Sequence, residues 1–178
     1  MRKVIFAVAV CLLGCITNAA AQQSSGEQKT QKQGMADCPM MQDSHSQMNA
    51  RGEKGMGFSQ TAATHHFFLN SNGGVIQVEA NDPADAADRD SIRMHLQHIA
   101  KAFQAGDFDI PMFVHDTVPP GVPIMKKLQK DISYSFEETP NGGRVVISSQ
   151  DHKALAAIHK FLQFQIKEHE TGDSMEVR

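Results

Sequence analysis

The chain contains the same pattern twice, a β-hairpin followed by a helix, and this repetition constrains the fold more than any other feature. The first copy consists of strand-like segments at residues 65–69 and 75–80, a turn at Asn72-Gly73-Gly74 and a helix that ends near Gly106. The second consists of segments at residues 132–137 and 144–148, a turn at Asn141-Gly142-Gly143 and a helix from about Lys153 to near Gly172. The paired glycines supply the positive φ angles that hairpin turns need.

The repeat predicts an α+β domain over residues 58–173, in which two ββα pseudo-repeats form a four-stranded antiparallel sheet with two long helices packed on one face. Side chains two positions apart in a strand point to the same face of the sheet. We therefore expect four pairs to face the helices, namely Phe67 and Leu69, Ile76 and Val78, Tyr134 and Phe136, and Val145 and Ile147. Residues 108–123 contain four prolines, which predicts a constrained loop, followed by a short helical turn near Met125.

Residues 1–21 have the pattern of an export signal peptide. Arg2 and Lys3 precede an apolar run at residues 4–16, which is too short to remain as a membrane span, and small residues before Gln22 offer a cleavage site. This pattern predicts a periplasmic or secreted protein. The alternative is cleavage within Leu12-Leu13-Gly14-Cys15, which resembles a lipoprotein box and would anchor the protein to a membrane through a lipidated Cys15.

Residues 22–57 are polar, with no Phe, Tyr or Trp and with Thr30 as the only β-branched residue, so we expect a flexible arm before the domain. Residues 174–178 form a C-terminal tail. The arm concentrates candidate metal ligands, Cys38, Met40, Met41 and His45. Thiolate and thioether sulfur favour Cu(I), which indicates copper capture. The alternative is a linker whose methionines have no role.

Within the domain, histidines and a methionine recur at positions from which one metal ion could be held. The candidates are His65, His66, Met94, His95, His98 and His115. Helical spacing brings Met94 and His95 each alongside His98, and strand alternation turns His65 toward the helices and His66 away from them. Neutral imidazole and thioether ligands suit copper, and the histidines alone suit zinc. The alternative is that each histidine is a core residue bonded to a backbone carbonyl.

Three histidines on the last helix, His152, His159 and His169, are interpreted as solvated or capping residues. The net charge of −3 argues against nucleic acid as a partner, because phosphate binding depends on clustered Lys and Arg. No phosphate-binding glycine loop, nucleophile-elbow serine, His-Glu-x-x-His or haem-attachment motif is present, which favours a protein that is not an enzyme.

These observations predict an exported metal-binding protein that captures, stores or transfers copper in the cell envelope, with zinc as the alternative metal. Its partners would be the metal ion and a metal-donor or metal-acceptor protein. Two other functions remain open. An enzyme would have an open cleft beside His65, His95 and His115, whereas a non-catalytic module would bind a protein or small ligand on the sheet face marked by His66 and Phe68.

Several short motifs are similar to those of an uncharacterised family of small exported bacterial proteins. They are Met56-Gly57-Phe58-Ser59, Thr64-His65-His66-Phe67, Arg93-Met94-His95-Leu96-Gln97-His98-Ile99-Ala100, Pro119-Pro120-Gly121-Val122-Pro123 and Phe164-Gln165-Ile166-Lys167. The resemblance covers roughly residues 56–173 and implies export without implying an activity. Separately, Cys38-Pro39-Met40-Met41 resembles the soft-ligand tracts of periplasmic copper-handling proteins, which implies copper.

Overall fold

A computed structural model describes the backbone of residues 39–178 and the side chains from residue 46 onward. The predicted signal peptide, the lipidation site at Cys15 and the thiol of Cys38 lie outside the described residues. Met40, Met41 and His45 fall within a described helix, but their side chains do not belong to the described part.

The chain folds as an α+β structure with a four-stranded antiparallel sheet, as the sequence predicts. The elements, in chain order, are α1 (Pro39–Met56), β1 (Ala63–Asn70), β2 (Gly73–Ala80), α2 (Ala86–Gln104), α3 (Asp109–His115), α4 (Val122–Lys127), a 3-10 turn (Gln129–Asp131), β3 (Ile132–Thr139), β4 (Gly142–Ser149) and α5 (His152–Glu168). The strand order is β1-β2-β4-β3, so the two hairpins meet along β2 and β4 at the centre of the sheet. No helix in residues 39–178 is both long enough and apolar enough to cross a membrane.

The predicted assignment of strand residues to the helix-facing side agrees with their burial. Ile76 pairs with Val145 across the central strands, and both side chains are buried. Tyr134 and Phe136 lie on the edge strand β3 and are only partly buried against the core. The helix-facing side is therefore mainly apolar, with His65 of β1 as an exception. This pattern fixes the register of each hairpin, because a shift by one residue would expose these apolar side chains.

The turn glycines are required mainly for close packing, and the prediction that they all supply positive φ angles holds only in part. Gly73 has a φ of +148°, but Gly142 does not adopt a positive φ. A Cβ atom at Gly142 would collide with the backbone oxygen of Val78 on the neighbouring strand. Close approach of β4 to β2 therefore demands glycine at this position.

Both long helices packed on the sheet have capped N-termini. The side chain of Asp85 accepts a hydrogen bond from the backbone N–H of Asp88 at 3.0 Å, and Asp151 accepts from the N–H of Ala154 at 2.9 Å. Gly106, with a φ of +77°, follows the end of α2, as the sequence predicts. Helix α5 ends at Glu168, earlier than the predicted end near Gly172.

The second half of the predicted flexible arm is helical in the structure, which corrects the expectation for residues 39–56. Helix α1 packs on α3, where the Nε of Arg51 donates to the backbone oxygen of Val114 at 2.9 Å. Met48 is only 7% exposed. The prediction missed this helix because a segment with four methionines and two glutamines has adequate helix propensity despite Gly52 and Gly55. Docking of one face on α3 supplies the burial that the segment lacks alone.

One further segment differs from the predictions. Residues 109–115 form helix α3 rather than a loop, because Pro111 lies in the first helical turn, where a missing N–H is tolerated. The C-terminal tail is attached to the sheet edge, since the N–H of Arg178 donates to the backbone oxygen of Leu69 at 3.0 Å.

Candidate functional site

A cavity of about 70 Å³ lies between the sheet and helices α2, α3 and α5. Its walls are mainly apolar, with contributions from Phe67, Ile99 and Phe161. The polar side chains among its lining residues are His65, His95, His115, Gln165 and His169. Four imidazoles and one amide therefore meet in otherwise apolar surroundings, which makes this cavity the candidate functional site.

The histidines reach the cavity from four different elements. His65 extends from β1, His95 from α2, His115 from the end of α3, and His169 directly follows α5. The rings of His65 and His169 stack with centroids 5.3 Å apart and an interplanar angle of 12°. The ring of His115 meets that of His169 edge to face at 5.1 Å, while His95 packs edge to face on Phe58 at 5.6 Å.

Three buried polar atoms at the cavity have no hydrogen-bond partner. They are Nε2 of His65, Nδ1 of His115 and Nε2 of Gln165, and they are three of the five such atoms among the described side chains. Gln165 is only 4% exposed. Each unpartnered buried group costs about 1 to 3 kcal/mol of stability, so a hydrogen-bonding partner in the cavity would be stabilising.

His115 and Gln165 form a pair that presents one donor and one acceptor. Nε2 of His115 lies 3.0 Å from Oε1 of Gln165, so the ring nitrogen donates and the amide oxygen accepts. Nδ1 of a neutral His115 is then an acceptor, and the amide nitrogen of Gln165 is a donor. If the amide is turned over, the two roles exchange. In either arrangement the pair offers one donor and one acceptor to a ligand.

Three of the four cavity histidines, His65, His95 and His115, are held neutral at physiological pH because each has a lowered pKa. Burial, with a smaller contribution from neighbouring His66, lowers the pKa of His65 to about 4. Burial, followed by proximity to His65 and His98, lowers the pKa of His95 to about 4 as well. The pKa of His115 is also lowered, again mainly by burial, although its bond to Gln165 opposes the shift. Neutral imidazoles can accept hydrogen bonds or coordinate a metal without losing a proton first.

The structure brings together three of the six metal-site candidates in the domain and separates the others. His65, His95 and His115 line the cavity. Met94 is 69% exposed and His98 is also exposed, and neither lines the cavity. The helical spacing was correct, but the roll of α2 on the sheet places only the stripe containing His95 against the core.

His66 lies on the opposite face from His65, as predicted, where it pairs with Asp173. Nδ1 of His66 is 3.1 Å from Oδ1 of the carboxylate, whose other oxygen accepts from the N–H of Phe67 at 2.9 Å. Asp173 thus satisfies a backbone donor on the outer edge of β1 and engages the neighbouring imidazole. This arrangement explains His66 as a structural residue rather than part of the cavity.

Three cavity residues were not identified as site residues from the domain sequence, namely Met56, Gln165 and His169. Gln165 carried a usable signal, because it occupies a buried position on the stripe of α5 that includes Phe161 and Ile158. His169 lies four residues further along the same helical face. By contrast, His159 has a structural role, with Nε2 2.9 Å from the backbone oxygen of Asn70.

The fit to a metal ion is incomplete. Across residues 46–178, no group of three or more His, Cys, Asp or Glu side chains is arranged to hold a metal. The nearly parallel stack of His65 on His169 explains part of this result, since stacked rings do not direct their nitrogens to a common point.

Comparisons with protein-family models, with curated proteins and with solved structures found no match to this chain.

Proposed function

We propose that this protein binds a small organic molecule in the histidine cavity through an apolar group and an adjacent hydrogen-bonding group. The observation that carries the proposal is the set of three unpartnered atoms on His65, His115 and Gln165 around one apolar cavity. Ligand sites combine apolar walls with a few converging polar groups in this way. The cavity is lined by His65, His95 and His115, beside which an enzyme was expected to have its cleft. The ligand could therefore be a substrate.

The direct test is a binding titration of the full chain with isopentanol, a probe that joins a small branched alkyl group to one hydroxyl. We expect saturable binding by calorimetry. Gln165→Leu keeps much of the side-chain volume but removes the donor–acceptor pair, so it should weaken binding by about tenfold, the effect of losing one buried hydrogen bond.

The matched control is Gln163→Leu on the same helix. Gln163 lies outside the cavity and donates to the backbone oxygen of Met175 at 3.0 Å. This variant should bind the probe as the unaltered protein does. Absence of binding by the unaltered protein would leave the cavity as a water site and overturn the proposal. If Gln165→Leu and Gln163→Leu bind isopentanol equally well, the probe binds outside the cavity.

A second candidate function is Cu(I) binding in the same cavity. It is favoured by one observation, that the sulfur-bearing Met56 lines the cavity together with the neutral imidazoles of His65 and His95. Soft thioether and imidazole ligands suit Cu(I), while zinc would use the histidines alone. Side chains would have to turn toward a common point, because the described rings do not form a three-ligand site.

Competition with chelators for Cu(I), Cu(II) and Zn(II) separates the metal from the organic ligand. Under the metal proposal, His65→Ala and His95→Ala each lower copper affinity, whereas the exposed His152→Ala does not. If the protein does not compete with a weak buffer chelator for any of these metals, the metal proposal is rejected. Three further proposals rest on the sequence alone. They are a periplasmic or secreted location, the alternative of a lipid anchor at Cys15, and a partner protein that exchanges metal with this one.

A further inference from the structure

A second cavity of about 470 Å³ lies next to the first and differs from it in chemistry. The two share His65 and His169 in their walls. We call them the inner and outer cavities. The stacked pair of imidazoles therefore stands at the boundary between an apolar inner space and a larger outer space.

The outer cavity is polar and acidic. Amide and hydroxyl side chains such as Gln60 and Thr64 line it, together with the carboxylates of Glu168 and Glu170. None of the described residues that form its wall is Lys or Arg. Its charge therefore favours a cationic group over an anionic one.

The sizes of the two cavities indicate how a ligand would be divided between them. The inner cavity, at about 70 Å³, is smaller than the cavity of about 150 Å³ that holds benzene in another protein. It can accept a short alkyl group but not a whole ligand of ordinary size. The remainder of such a ligand would have to pass the His65–His169 boundary and lie in the outer cavity, which is several times larger.

We infer that the ligand is an amphiphilic amine, with a small apolar end in the inner cavity and an ammonium group beside Glu168 at the boundary. This inference rests on the proposed function, because it assumes that the inner cavity receives the apolar end.

The polar groups at the boundary suit an ammonium donor. Nε2 of His65 is buried without a partner, and when the proton of the neutral ring is on Nδ1 it can accept an N–H bond. Glu168 lies close enough to His115 to influence its charge state electrostatically, which places the carboxylate near the inner cavity as well as in the wall of the outer one. An alcohol of the same shape could use the imidazole but not the charge of Glu168.

The test compares isopentylamine with isopentanol, which share one alkyl group and differ in the head group. Both are titrated calorimetrically at pH 7 and low ionic strength into the full chain, into Glu168→Gln and into the control Glu176→Gln. Glu176 is exposed and contributes to neither cavity. We expect the amine to bind roughly three- to tenfold more tightly than the alcohol, Glu168→Gln to remove that difference, and Glu176→Gln to keep it.

Each other outcome has a defined meaning. Equal affinity for amine and alcohol, or a preference for the amine that persists in Glu168→Gln, overturns the inference but leaves the proposed function standing. Loss of preference in Glu176→Gln as well would show a general charge effect and also overturn it. If neither probe binds, the proposed function fails with the inference.

Discussion

The imidazole rings of His65 and His169 stack at a centroid distance of 5.3 Å, although one residue lies on the first strand and the other follows the last helix. The contact joins the N-terminal hairpin to the C-terminal end of α5. Because both residues line the inner and outer cavities, the same contact sets the boundary between them.

Acid should destabilise the protein. The pKa of His95 is about 4 in the folded chain and 6.5 in the unfolded one, so below pH 6.5 the unfolded chain binds more protons. The contribution is fully present above pH 6.5 and is lost as the pH falls toward 4. By pH 4 the loss should be on the order of 2 to 3 kcal/mol, at 1.36 kcal/mol per pKa unit.

Urea unfolding at a series of pH values measures this effect. His95→Leu should reduce the dependence between pH 6.5 and 4 and leave the part that comes from His65 and His115. His152→Gln, which replaces an exposed histidine, should keep the full dependence. An unchanged slope in His95→Leu would contradict the neutral, buried state of this ring.

Met48 tests whether α1 is packed on the domain. Met48→Ala should lower the free energy of unfolding by about 2 to 3 kcal/mol, because the side chain is only 7% exposed. Met94→Ala is the control, since Met94 is 69% exposed and its loss should change stability by less than about 0.5 kcal/mol. Equal and small effects of the two changes, measured by chemical unfolding, would mean that residues 39–56 behave as the free arm predicted from the sequence.

The glycines give a paired test of backbone packing. Gly142→Ala should destabilise the protein by about 2 kcal/mol or more, because the added methyl group meets the backbone oxygen of Val78. Gly55→Ala should instead stabilise it by about 0.5 to 1 kcal/mol, since Gly55 lies in α1 and its nearest neighbours leave room at 3.5 Å. Melting temperatures that move in the same direction for both variants would contradict this description.

Asp173 should stabilise the outer edge of β1. Asp173→Ala removes the acceptor for the N–H of Phe67 and the partner of His66, so we expect a loss of about 1 to 3 kcal/mol. Amide exchange at Phe67 should accelerate in the variant. Ser174→Ala, next in sequence, serves as the control, and comparable exchange at Phe67 in both variants would refute the role given to this carboxylate.

The sequence predicted the sheet and its buried face because these depend on local patterns. Ile76 and Val78 alternate with the polar Gln77 and Glu79, and Gly106 lies where a helix must stop. The cavity depends on long-range placement, which local patterns do not contain. The partnership of His115 with Gln165, and of His65 with His169, follows from how α3 and α5 dock on the sheet. The rotation of α2 about its own axis likewise determines that His95 faces inward, whereas Met94 and His98 are exposed.

Long-range proton–nitrogen NMR of the histidine side chains would show whether the inner cavity binds a small organic molecule through its unpartnered polar atoms. In a titration with isopentanol at pH 7, we expect saturable shifts of Nε2 of His65 and Nδ1 of His115, with no change at exposed His152. Gln165→Leu should weaken the response at His115. Binding in the inner cavity is contradicted if the probe leaves the His65 and His115 nitrogens unchanged, or if it moves His152 by the same amount.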